Sequence, residues 1–434
     1  MLSGLIYCVI IVLVMCMYHN SIFNFKYKRA ENENVVYNTF SKALLVLTDE
    51  ELDILESDSY EGTYLFDDFR EHDIVVDGDE LLFLKYIHYR SKFNNNTLVL
   101  TIAPTMDCNF ACPYCYENRR KGVMSDEVQK GVLDYIRESV EGGIRAVNLT
   151  WYGGEPLLYF DIVRYMSQEI TEICQDNKCR LKMDIVSNGY LLTEEIVEEL
   201  ENLGFFKIQI TIDGMKDNHN VRRPLRGGGG TFDKIVENLS LFDDSSMSVL
   251  IRMNTDNTNC VDFVELKALI DSLGNENIRL YASPVEDLNK DTVNEVSDFM
   301  SSQDFEAFAL ESCENGSWSD DDFSVMDDRF CFCTSETENC YVIDDVGNFY
   351  KCWDEVGREE YACFNIRNRE ERNDEQIAKF VAVDPFSDEK CKKCVFLPLC
   401  FGGCKFQRAH LNKSVCGFTD ESLKTYLEVS FFKE

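Results

Sequence analysis

Residues 101–117, T-I-A-P-T-M-D-C-N-F-A-C-P-Y-C-Y-E, run from the end of an apolar strand into three cysteines, Cys108, Cys112 and Cys115. Thiolates at such short spacings are how a chain wraps a cubic iron–sulfur cluster. Three of them leave one iron of a four-iron cluster without a protein ligand, open to a small molecule. A second array comes late. It holds Cys333, Cys340 and Cys352, then Cys391, Cys394, Cys400 and Cys404 at C-x2-C-x5-C-x3-C spacing, then Cys416. The two patterns absorb eleven of the nineteen cysteines. C-x2-C neighbours usually share a metal or a redox site rather than a disulfide. Exposed clusters need a reducing, oxygen-poor setting, so the expected compartment is the cytoplasm of an anaerobe or microaerobe.

The strand before the first cysteine loop opens a repeating order. Strand patterns at 97–102, 145–152, 181–187, 206–212, 247–253 and 278–282 alternate with helical patterns at 126–140, 162–174, 194–203, 232–242 and 263–273. Near-continuous apolar strands separated by helices predict a parallel sheet buried on both faces. Six units predict an α/β fold, a partial (β/α)6 barrel with its chemistry at the C-terminal ends of the strands. The expected division is an apolar N-terminal segment at 1–30, a small α+β module of winged-helix flavour at 31–97 and the barrel at 98–283. A linker with a helix near 293–310 follows at 284–328, then a cysteine-rich domain at 329–434. Small cysteine-dense domains are normally held by metals or disulfides rather than by a core.

At 434 residues, 45% hydrophobic and 12% aromatic, the chain can fill two or three domains. Seventy-eight acidic against 43 basic residues give a net charge of −35. Such a surface repels phosphate backbones, which excludes nucleic acid as an expected partner, and it would attract a basic peptide. Residues 5–17 are almost wholly apolar and precede Lys26, Lys28 and Arg29. The run is short for a spanning helix, and it lacks the flanks of a signal peptide. An interfacial anchor, a buried strand and an upstream start-codon artefact stay open.

Further motifs follow the barrel strands. W-Y-G-G-E-P at 151–156 offers Gly153 and Gly154, which let backbone approach a ligand, and Glu155, a carboxylate for an ammonium group. Ser187 and Asn188 in V-S-N-G suit ribose hydroxyls. Thr211 in T-I-D-G could face the site, and Asp213 orders the turn. Arg223 is a fixed cation able to hold a carboxylate. Tyr114, beside the last cysteine, is placed against a flat ring. Asp354 and Glu355 are candidates for a general base by position only.

These motifs resemble the radical S-adenosylmethionine superfamily over about residues 98–282. The resemblance implies a 4Fe-4S cluster on Cys108, Cys112 and Cys115, with S-adenosylmethionine among Tyr114, Gly153, Gly154, Glu155, Ser187, Asn188, Thr211 and Arg223. One-electron reduction would release a 5′-deoxyadenosyl radical that abstracts hydrogen from the substrate. A low-potential donor such as flavodoxin or ferredoxin is implied. The late array is similar to the SPASM domain, which implies two auxiliary 4Fe-4S clusters, three clusters in all. Cys333, Cys340, Cys352 and Cys404 would hold one; Cys391, Cys394, Cys400 and Cys416 would hold the other. C-F-C at 331–333 also offers Cys331, and whether Cys340 closes the first auxiliary cluster stays open.

Proteins with this domain modify peptides or proteins. The module before the barrel resembles a leader-peptide-binding element, and Y-K-C-W-D-E-V-G at 350–357 resembles thioether-forming maturases. Both favour maturation of a ribosomally made peptide. Anaerobic sulfatase maturation, which makes formylglycine, is the alternative, and an iron–sulfur electron carrier or scaffold is the non-enzymatic one.

Overall fold

The computed structural model describes residues 18–117, 119–285, 298–315, 331, 333–411 and 416–432. The apolar run at 5–17 lies outside them, as do the first residues of the helix expected near 293–310. Among the described residues no helix is long and apolar enough to cross a membrane. The chain forms two compact units: Met1–His88 with Pro385–Phe401, and Tyr89–Asp384 with Gly402–Glu434.

In the first unit β1 (His19–Asn20) pairs with β5 (Val75–Val76). Strands β2 (Asn24–Ala30), β3 (Glu33–Asn38) and β4 (Leu44–Leu47) form an antiparallel sheet in that order. Helix α1 (Asp49–Glu56) starts at a capping box: Thr48 Oγ1 accepts from the Glu51 N–H, and the Glu51 carboxylate accepts from the Thr48 N–H. Helix α2 (Phe66–Glu71) and the sheet close on Val36, Leu47, Leu55, Tyr60 and Phe69. Helix α3 (Glu80–Lys92) follows. Strands β3 and β4 fall on the apolar runs V-V-Y-N and A-L-L-V-L of the expected α+β module. Strand β2 is an addition; its lysines and arginine hide it from an apolar reading.

The second unit carries six parallel strands, β6 (Thr97–Ile102), β7 (Ala146–Trp151), β8 (Arg180–Ser187), β9 (Phe205–Thr211), β10 (Ser248–Thr255) and β11 (Ile278–Pro284), each paired with the next. The helices between them are α4 (Asp126–Glu141), α5 (Phe160–Asp176), α6 (Glu194–Asn202), α7 (Lys216–Arg222), α8 (Phe232–Leu239) and α9 (Phe263–Ser272). Two of these helices start where a side chain can satisfy a free N–H group: Ser125 caps α4 and Thr193 caps α6. Helix α4 buries Val128, Val132, Ile136 and Val140, one stripe at helical spacing. Helix α7 is the element the sequence pattern omits, since K-D-N-H-N-V-R has no apolar stripe.

The strands are not uniformly apolar, which corrects the expectation of a sheet buried alike on both faces. In β9 and β10 the buried positions Ile208, Ile210, Ile251 and Met253 alternate with Lys207, Gln209, Arg252 and Asn254. The polar set is internally paired. Lys207 lies 3.0 Å from Asp184, Tyr281 donates to Gln209 at 2.8 Å, and Arg252 donates to Asn254 and Ser283 at 2.8 and 2.9 Å. The lumen of the partial barrel is therefore polar.

The sheet also continues past its first strand. Strand β12 (Cys340–Ile343) pairs parallel with β6, in register Cys340 with Val99 and Ile343 with Ile102. Strands β13 (Asn348–Tyr350) and β14 (Phe364–Asn365) extend it antiparallel. Tyr341, Ile343, Phe349, Phe364 and Ile366 join the same core as the barrel. This part of the cysteine-rich region thus shares the barrel's apolar core. Helix α10 (Ser302–Glu314) is capped by Ser301.

Candidate active site

A cavity of about 650 Å³ opens at the C-terminal ends of the parallel strands. Cys108, Cys112 and Cys115 line it together, as do Tyr114, Gly153, Gly154, Glu155, Ser187, Asn188, Thr211 and Arg223. All eleven residues expected around the first cysteine triplet and its ligand therefore face one space.

The cysteine loop is held by its neighbours. The Ala111 N–H donates to Pro224 O and the Arg226 N–H to Asn109 O, both at 2.8 Å. Arg226 also pairs with Asp107 at 2.7 Å. Arg119 donates to the carbonyls of Phe110 and Cys112. At the sulfurs, the Phe110 N–H points to Cys108 Sγ at 3.4 Å, and Asn188 Nδ2 lies 3.9 Å from the same atom. N–H donors aimed at sulfur suit a thiolate ligand of a cluster. Burial pushes the Cys108 thiol up to about 12 and the Cys115 thiol up to about 11, helped by the charges of Glu155 and Glu117 respectively. As free thiols both stay protonated; only a bound cation would favour the thiolates.

The two glycines serve the cysteine loop itself. Gly153 has φ +113°, and a Cβ there would stand 2.5 Å from Thr105 O; a Cβ on Gly154 would land on Asp107 O. The Gly154 and Glu155 N–H groups donate to those two carbonyls at 3.1 and 2.9 Å. The close approach expected of a ligand is made by backbone. Glu155 is similarly occupied. It is 1% exposed and accepts from the Asn188 N–H at 2.7 Å, Ser187 Oγ at 2.8 Å and the Leu157 N–H at 3.0 Å. Burial raises its carboxyl against these donors. The Asn188 carboxamide donates to Asn109 at 2.8 Å.

Across the cavity, the Tyr114 hydroxyl donates to Asp213 and accepts from Arg223 at 2.8 Å and Asn254 at 3.3 Å. The Arg222 guanidinium sits over the Tyr114 ring at 5.1 Å. Asp213, fully buried, orders the strand-end turn: its carboxylate also accepts from the Asn254 N–H at 2.9 Å. Arg222 is tied to Asp256 at 2.6 Å, whereas Arg223 lines the cavity and its Nε meets no acceptor among the described residues.

A second polar group in the wall was not legible from motifs. Glu117 is 9% exposed, its Oε2 meets no partner among the described residues, and burial raises its carboxyl to about 7. The Tyr116 and Tyr152 hydroxyls bond to each other, and the Tyr152 ring lies 4.2 Å from that of Trp353, tilted by 60°. Asp354 lines the same wall, with Cys352 Sγ 3.5 Å from its carboxylate. Glu355 is not among the lining residues. It is fully buried and accepts from Gln376, from the Lys351 and Cys352 N–H groups, and pairs with His410, so it is an anchor and is withdrawn as a candidate base.

Among the late cysteines, Cys333 and Cys340 act on each other electrostatically, and Cys333 acts on Cys352. Cys331 is set against Lys92 and Lys405. Cys404 belongs to the same unit as these four, as does Cys416; Cys391, Cys394 and Cys400 belong to the other. Among the described residues no three His, Cys, Asp or Glu side chains gather at single-ion distances. Outside both patterns, Cys174, Cys179, Cys313 and Cys363 are buried.

Residues 102–283 match the radical SAM superfamily. This chain carries a radical SAM domain. Such a domain implies a 4Fe-4S cluster and S-adenosylmethionine, and its matched residues span the strands and loops that build the cavity. The sporulation killing factor maturation protein SkfB of Bacillus subtilis is 26% identical over 162 residues, 37% of this chain and 36% of SkfB. The serine-type anaerobic sulfatase-maturating enzyme of Bacteroides thetaiotaomicron is 29% identical over 147 residues, 31% of this chain and 33% of that protein. The chain thus spans about a third of the length of these relatives in the matches. Two solved structures share the radical SAM fold. Native anSMEcpe with bound AdoMet and Cp18Cys peptide has a TM-score of 0.59 at 19% identity, covering 77% of this chain and 97% of that one. Streptococcus suis SuiB bound to the precursor peptide SuiA has a TM-score of 0.54 at 14% identity, covering 93% and 99%.

Proposed function

We propose that this chain is a radical S-adenosylmethionine enzyme that matures a ribosomally made peptide, forming a thioether or similar crosslink. One observation carries the reading: the cysteine triplet shares its cavity with Trp353 and Asp354 of the Y-K-C-W-D-E-V-G segment. A substrate seated there would meet the radical chemistry on one side and the late thiols' segment on the other. Cys108, Cys112 and Cys115 would hold the cluster. Together with bound S-adenosylmethionine, that group would supply one-electron cleavage of a sulfonium and abstraction of a substrate hydrogen.

The chain's own residues bind and orient. Arg223, with an unused donor facing the cavity, suits a carboxylate. Thr211 and Asn188 are hydrogen-bonding groups at the strand ends. Glu155 sets the Ser187–Asn188 backbone, and Tyr152 and Trp353 give the cavity an aromatic wall. Cys333, Cys340, Cys352 and Cys404 would hold an auxiliary cluster. The second auxiliary set, Cys391, Cys394, Cys400 and Cys416, is proposed from its spacing alone. A leader peptide would add a strand to an edge of the β2–β3–β4 sheet. A low-potential donor such as flavodoxin or ferredoxin would supply the electron.

Sulfatase maturation is the second reading, favoured by the Bacteroides relative. An electron carrier would have no use for a nucleoside-sized cavity beside its cluster loop. Reduced, cluster-loaded protein should release 5′-deoxyadenosine from S-adenosylmethionine, and Cys115→Ala should abolish the release. No product from fully loaded protein sinks the enzyme reading. The substrate is decided by mass spectrometry after co-expression with a cysteine-bearing peptide encoded beside the gene. A crosslink removes two hydrogens and the alkylatable thiol. An aldehyde trapped by a hydrazide on a sulfatase peptide would instead select the second reading.

A further inference from the structure

Among the described residues of this strongly acidic chain three lysines are buried: Lys92 and Lys351 at 1% exposure and Lys405 at 0%. An ammonium taken out of water is costly unless negative charge faces it. Lys405 lies 3.1 Å from the buried carboxylate of Glu336. Lys351 and Lys92 donate to neutral carbonyls. Lys351 Nζ donates to Thr337 O and Cys340 O at 2.7 Å, and Lys92 Nζ donates to Val383 O at 2.7 Å. Carbonyls satisfy N–H groups without neutralising charge.

Carboxylates and sulfur both gather around these cations: Glu336 and Asp384 act on Lys92, and Glu355 acts on Lys351 beside its thiols. Lys351 precedes Cys352, bonds the carbonyl of Cys340, and lies in the field of Cys340, Cys363 and Cys333. Lys405 follows Cys404 and acts on Cys331 and Cys333. Lys92 acts on Cys331. Neutral thiols would add little to the charge of those carboxylates; thiolates on iron would add negative charge beside the ammonium groups.

We infer that Lys92, Lys351 and Lys405 form a cationic shell around an iron–sulfur cluster on Cys333, Cys340, Cys352 and Cys404, and raise its reduction potential. Reduction adds one negative charge to the cluster, and fixed positive charge beside it favours the reduced form. Lys351 is the leading member, because it alone touches the Cys340 backbone and faces three thiols. The lysines tune; they do not ligate. The inference rests on the auxiliary-cluster reading given above.

The test is an EPR-monitored potentiometric titration of the full chain, with Cys108→Ala, Cys112→Ala and Cys115→Ala removing the first cluster. Cys352→Ala in that background should lose one cluster's worth of iron and the matching signal, which identifies the component to follow. In Lys351→Met that component should shift to more negative potential at unchanged iron and sulfide content, while Lys351→Arg keeps the original potential. If Lys351→Met loses the cluster, Lys92→Met is read instead, with the same expected direction. An unshifted potential at full iron content overturns the inference alone. Unchanged iron in Cys352→Ala overturns the auxiliary-cluster reading and the inference with it.

Discussion

Gly154 sits where the cysteine loop leaves no room for a side chain. A methyl group there would collide with Asp107 O, one residue before Cys108. Gly154→Ala should therefore fold poorly at the loop and purify with less iron and sulfide, whereas Gly227→Ala, with open space around it, should load normally. Glu155→Ala should leave the buried Asn188 and Leu157 N–H groups unpaired, a loss of roughly 2–4 kcal/mol from two orphaned donors, read as a lower thermal midpoint. The thiols give a pH dependence. In cluster-free protein Cys108 and Cys115 hold their protons to about 12 and about 11, against an ordinary value of about 8.5. The native state then binds more protons than the unfolded one between about 8.5 and those values, so stability falls as pH rises through that window. Thermal midpoints of cluster-free protein from pH 8 to pH 10 check the sign. The triplet was readable because ligand chemistry dictates residue type and spacing at once. Glu117 and Tyr152 were not, because their place in the wall depends on which strand ends the fold brings together. The donors around Glu155 were out of reach for a related reason: a motif names the residue but not which N–H groups meet it.

At the scale of elements, the alternation of βα units was legible because crossover helices carry clean apolar stripes. The polar lumen was also written in the sequence, in K-I-Q-I-T and I-R-M-N-T, but a few central apolar residues masked the period of two. Strand β12 gave no such signal. Four residues, C-Y-V-I, fit a turn, a loop or a strand, and only the free edge of β6 decides among them. That edge addition rests on Phe349, fully buried with ring centroids 4.3 Å from Phe364 and 5.1 Å from Tyr135. Phe349→Ala should cost about 3–5 kcal/mol, measured as a lower denaturation midpoint of the second unit. A cost near zero would mean that the late cysteine region folds apart from the barrel.

At the scale of the whole molecule the charge of −35 dominates. Self-repulsion in a chain this acidic should weaken with screening, so the thermal midpoint should rise between low salt and ~0.3 M salt. A midpoint that falls with added salt would show that ion pairs outweigh repulsion. The pairing of β6 with β12 has a mechanical meaning. Cys340 stands opposite Val99, and the cysteine loop leaves β6 after Ile102. Three residues of strand, about 10 Å, separate those levels. The hydrogen-bonded ladder between them acts as a ruler: whatever substrate enters, the gap along the strands between the first cysteine loop and Cys340 is of fixed length.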